Sequence, residues 1–102
     1  MIFQLVLQFS ASEMRQFDEL VALEEDLIQK LPPTSEVDGH DFGSGEFNIF
    51  ILTAQPRETF DAARKVIKEG AFQNQFRAAY RERGKDEYVI LWPEHLERFR
   101  VA

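Results

Sequence analysis

The hydrophobic positions change period several times along the chain, and each change predicts an element. Residues 2–9 alternate, with Phe3, Leu5, Leu7 and Phe9 on one face and Ile2, Gln4, Val6 and Gln8 on the other, the period of a strand. Ser10-Ala11-Ser12-Glu13 has the spacing of a capping box, Ser10 as N-cap and Glu13 at N3, with Phe9 and Met14 placed as a hydrophobic staple. In the helix that follows, Met14, Phe17, Leu20, Val21, Leu27, Ile28 and Leu31 form one stripe, and Pro32-Pro33 ends it.

Residues 36–43 and 46–53 read as two strands of a hairpin joined by Ser44-Gly45, with Phe47, Ile49 and Ile51 toward the core and Asn48, Phe50 and Leu52 on the opposite face. Pro56 suits the first turn of a second helix running to about Glu69, with Phe60, Ala63, Val66 and Ile67 on its apolar side and Gly70 just past its end. Phe72, Phe76, Ala79 and Tyr80 recur at helical spacing and predict a third helical stretch ending at Gly84. Residues 86–92 predict the last strand, before Pro93 and a short tail with Leu96 and Phe99. The order β-α-β-β-α-(α)-β predicts an α+β fold: a ferredoxin-like split βαβ sandwich, with a four-stranded antiparallel sheet, helices on one face and an extra helix before the last strand. Its 102 residues fit a single domain, 1–102.

Ten Phe, two Tyr and one Trp supply enough large side chains for a core, and no low-complexity tract argues for disorder. No Cys is present, which removes disulfides, thiolate metal sites and a Cys nucleophile. No apolar run approaches the ~20 residues of a membrane span, and Met1-Ile2-Phe3 opens a strand pattern rather than a signal peptide, so a cytoplasmic location is expected. A net charge of −6 disfavours nucleic acid as a partner. The charge is segregated: residues 1–61 hold three basic and twelve acidic side chains, residues 62–102 nine and six. The predicted topology would interleave the two halves and blur any patches, though acidic surface still suits a basic partner.

The densest polar stretch is Asp38 to Glu46, with three glycines, His40 and the carboxylates of Asp38, Asp41 and Glu46. On a regular strand Asp38 and His40 share a face and Asp41 points the other way, so an acid/base pair or a cation site needs a bulge, which Gly39 permits. The plain alternative is a hairpin whose glycines supply positive φ and whose Asp, Ser and Glu side chains satisfy turn amides. Two such ligands without a fixed motif are too few to predict a metal, and no cofactor is expected. Gly43-Ser44-Gly45 joins two strands, lacks a following Lys and is flanked by carboxylates, against a phosphate loop.

Glu24 lies near the centre of the first helix's apolar stripe. If buried it needs a partner, for which Arg64 is a candidate; as an unpaired acid it is a second acid/base residue. His95 is expected at the surface. The outer sheet face, with Gln4, Gln8, Asn48 and Phe50, exposes aromatics among amides and predicts cover by a second copy of the chain as a homodimer, by another protein, or by the tail.

The segment Val37-Asp-Gly-His-Asp-Phe-Gly-Ser-Gly-Glu-Phe-Asn-Ile-Phe-Ile51 resembles a stretch of small uncharacterised bacterial proteins, some of them similar to immunity proteins of polymorphic toxin systems. The resemblance implies a bacterial cytoplasmic setting and a partner to be neutralised. Two expectations follow. One is an immunity-like interaction domain presenting Asp38, His40, Asp41, Ser44 and Glu46 to a basic partner. The other is a small enzyme or ligand-binding domain with His40 as base, Asp38 or Asp41 orienting it, and Glu24 as second acid.

Overall fold

A computed structural model of the chain describes residues 2–69 and 76–101. Seven elements follow one another: β1 (Phe3–Ser10), α1 (Met14–Lys30), β2 (Ser35–Gly43), β3 (Glu46–Thr53), α2 (Pro56–Lys68), β4 (Phe76–Glu82) and β5 (Val89–Trp92). The strands form one antiparallel sheet in the order β2-β3-β1-β4-β5, so the fold is α+β with five strands where four were expected. No described helix is long and apolar enough to cross a membrane.

β1 holds the centre because it can be buried on both sides. Leu5, Leu7 and Phe9 join Phe47, Ile49 and Ile51 of β3 and Phe76 and Ala78 of β4 in a core roofed by Leu20, Leu23 and Leu27 of α1 and Phe60, Ala63, Val66 and Ile67 of α2. Both helices therefore pack on one face. Burying each Leu or Phe there contributes about 2 kcal/mol. Pro56 opens α2, and Leu31, extended before Pro32-Pro33, closes α1.

Three predicted details change. α1 starts later, with Glu13 as N-cap and Gln16 Oε1 accepting from the Glu13 backbone N–H at 3.2 Å; Met14 is exposed, so the staple with Phe9 does not form. The buried stripe is rotated to include Leu23 and to leave Ile28 outside, while Glu24 is buried within it, at the position its place in the pattern predicts. The third helix is instead β4. Phe76, Ala79 and Tyr80 satisfy a helical spacing, but Phe76, Ala78 and Tyr80 also alternate, and pairing along the whole of β1 decides for the strand. Phe72 and Gly70 lie outside the described residues.

The outer face of the sheet is not open. The tail after β5 returns across it: Gln8 Nε2 donates to the Arg100 carbonyl at 3.0 Å, Phe99 packs on Tyr88 with ring centroids 5.0 Å apart, and Val6, Gln8, Asn48 and Ala79 are buried. Of the three covers expected for this face, the tail is the one present at those positions.

The strand order sets the strands of the two charge halves at opposite ends of the sheet. β2 and β3, carrying none of the chain's Lys or Arg, lie at one end of the sheet, and β4 and β5 at the other. On the outer face the tail nevertheless brings Arg98 and Arg100 beside Ser44 and Glu46, so the two halves interleave there and the acidic end is confined to the β2 edge.

Candidate functional site

The site is built on β2, whose register with β3 contains one irregularity. Val37 opposes Ile51 and Gly39 opposes Phe50, so Asp38 is the extra residue of a bulge. Gly39 takes φ +120°, a conformation other residues adopt only with strain. The bulge sets Val37, His40 and Phe42 on the helix side of the sheet and Glu36, Gly39 and Asp41 on the outer side, as their partners Ile51, Ile49, Phe47, Leu52, Phe50 and Asn48 show. At the far end Ser44 (φ 52°) and Gly45 (φ 75°) make the tight turn that a two-residue hairpin requires, pinned by the Ala11 N–H donating to the Gly45 carbonyl at 3.0 Å.

On the helix side, His40 Nδ1 lies 2.8 Å from Glu24 Oε1. The imidazole stacks on Phe47 at 4.6 Å and meets Phe17 edge-on at 6.1 Å, and Phe17 meets Phe42 edge-on at 5.7 Å. Glu24 is buried, and its second oxygen, Oε2, is buried without a hydrogen-bond partner among the described residues. Such a group is uncommon in a folded interior. Its partner is not Arg64, which stands 4.0 Å over the Trp92 ring.

On the outer side, Asn48 Nδ2 donates to Asp41 Oδ1 at 2.9 Å, and Gln8 Nε2 donates to Asn48 Oδ1 at 3.0 Å and onward to the Arg100 carbonyl. Asp41 is therefore turned away from His40, and neither Asp41 nor Asp38 hydrogen-bonds the imidazole. The expected His–Asp pair is replaced by a His–Glu pair, because the bulge re-aims His40 toward α1 while Asp41 stays opposite Asn48. Ser44 is an exposed turn residue, and Glu46 is half-buried beside an outer-face groove of about 830 Å3 shared with Arg77, Tyr88 and Phe99. Burial pushes the Tyr88 phenol above its ordinary 10; Arg81 opposes this, and Asp41 and Asp86 add to it. His95 is exposed. Among the described residues no group of three or more His, Cys, Asp or Glu side chains could hold a metal ion.

The residues that sequence reasoning passed over lie beside β2. Met14, Val21 and Ile28 recur every seven residues along the flank of α1. Ile28 (53% exposed) stands where α1 ends, beside Glu36 and Val37, and Phe42 (50%) stands at the other end of β2 against Phe17; Asp18 and Glu25 of α1 and Glu36 and Asp38 of β2 are also exposed. A hollow of about 370 Å3 opens where α1 ends and β2 begins, lined by Leu27, Ile28, Leu31, Pro32, Glu36 and Val37. The signal was present: residues 31–56 contain no Lys or Arg. No family model, curated protein or solved structure matches the chain.

Proposed function

We propose that the chain is a protein-interaction domain that presents the α1–β2 end of its sheet to a basic partner. The observation that carries this reading is the combination along α1 and β2: exposed Ile28 and Phe42, exposed carboxylates at Asp18, Glu25, Glu36 and Asp38, and no Lys or Arg on β2 or β3. Apolar area supplies contact, and the carboxylates supply steering and partner choice. Asp38 is the member of the predicted set best placed for this role; Asp41 is held by Asn48 and Ser44 by the turn. An immunity-like inhibitor masking a basic surface in a bacterial cytoplasm is the specific form we favour, resting on the resemblance of residues 37–51. In the same reading β1 to β4, with β1 and β3 central and β2 and β4 flanking them, are a ferredoxin-like split βαβ unit to which β5 is appended.

The test is capture of partners by the tagged full chain in its native host, followed by mass spectrometry. A basic protein that is lost at raised salt and in the variant Glu25→Gln/Glu36→Gln/Asp38→Asn supports the reading. Recovery of an acidic protein, of the chain alone, or of a partner indifferent to the neutralised carboxylates contradicts it.

A second reading rests on the 2.8 Å His40–Glu24 contact. A carboxylate on Nδ1 fixes the ring and its tautomer and leaves Nε2 to take a proton, the arrangement of a general base. No aspartate completes it here, which places it second.

A further inference from the structure

We propose that the free edge of β2 receives an extended segment of the partner in which Lys or Arg alternates with apolar residues, added as a sixth strand. This inference deepens the interaction reading and rests on it. β2 ends the sheet, and over its nine residues no strand pairs with its outer edge among the described residues. Such an edge carries unpaired main-chain N–H and C=O groups that can template another strand.

The alternation follows from what the two sides of a new strand would meet. Residues on its outer side would neighbour Glu36 and Asp41, both exposed carboxylates. Residues on its helix side would neighbour Val37, His40 and Phe42 and lie beneath the flank of α1, where Met14 and Ile28 are exposed and Val21 is half-buried. The first environment favours cations and the second favours apolar side chains, at the period of two that a strand supplies. The same charges reject a second copy of the chain, since pairing β2 with β2 would set Glu36, Asp38 and Asp41 of one molecule against those of the other.

The experiment titrates the isotopically labelled full chain with four synthetic octapeptides: strictly alternating Lys and Val, four Lys followed by four Val, and the alternating sequence with every second amide N-methylated, one peptide for each of the two registers. The expected result is saturable amide shifts at residues 35–43 with the alternating peptide, accompanied by slowed hydrogen exchange there. N-methylation in the register whose amides face β2 is expected to weaken binding at least about tenfold by removing main-chain hydrogen bonds, and in the other register to weaken it much less. Glu36→Gln is expected to weaken it roughly two- to fivefold. Equal binding of the block peptide or of both N-methylated peptides, shifts centred on the tail, β2 protection that depends on protein concentration without peptide, or no saturable binding would each overturn strand addition. If capture of a basic protein persists in the native host, the interaction reading survives that failure; if capture also fails, both fall.

Discussion

β2 and β3 carry two polar clusters, one on each side of the sheet, and they are finished to different degrees. On the outer side, Asp41, Asn48, Gln8 and the Arg100 carbonyl form a ladder across β2, β3, β1 and the tail, in which each amide nitrogen has an acceptor. On the helix side, Glu24 is buried with Oε1 on His40, and Oε2 meets no hydrogen-bond partner among the described residues. A completed ladder ties the tail to the sheet and explains itself as structure. The helix-side pair is held at one carboxylate oxygen only, so it rests on His40 alone among the described residues.

The largest effect expected from this contrast is at His40. His40→Ala removes the hydrogen bond to a buried carboxylate and should cost about 3 kcal/mol in urea unfolding, whereas Glu24→Leu, which removes the charge itself, should be neutral or stabilising by about 1 kcal/mol. A large loss from Glu24→Leu would make the pair as structural as the ladder. The ladder should respond in the opposite sense: Asn48→Leu, close in size but unable to bond Gln8 or Asp41, should cost about 2 kcal/mol. An unchanged midpoint would show that the Gln8–Asn48–Asp41 ladder does not hold the sheet.

A smaller effect is expected from pH. Burial under the tail raises the Tyr88 phenol, so the native state keeps that proton to higher pH than the unfolded chain does. The contribution is present below pH 10 and is lost as pH climbs past 10 through the folded-state value. Tyr88→Phe should therefore flatten the alkaline limb of the stability profile. The smallest effect is at the turn, where Ser44→Gly relieves a side chain held at positive φ and should add roughly 0.5–1 kcal/mol.

Much of the frame was legible in the sequence because it depends on local rules. The alternation of residues 3–9, the diproline after Leu31, the Ser44-Gly45 turn and Pro56 at the head of α2 each act within a few residues. What was not legible depends on distant neighbours. Phe76 to Tyr80 fits either period, and only β1 settles it. The His40–Glu24 pair spans sixteen positions and depends on a bulge whose presence Gly39 permits but does not dictate. The path of the tail over Gln8 spans ninety-two positions and leaves no local mark.

The account's central claim is that the carboxylates at the α1–β2 end are not engaged in holding the fold. Urea unfolding of the full chain carrying Glu25→Gln, Glu36→Gln and Asp38→Asn tests it most directly. The midpoint should stay within about 0.5 kcal/mol of the parent or rise as like charges are removed, and a loss beyond about 2 kcal/mol would show that these side chains hold the fold and contradict the account.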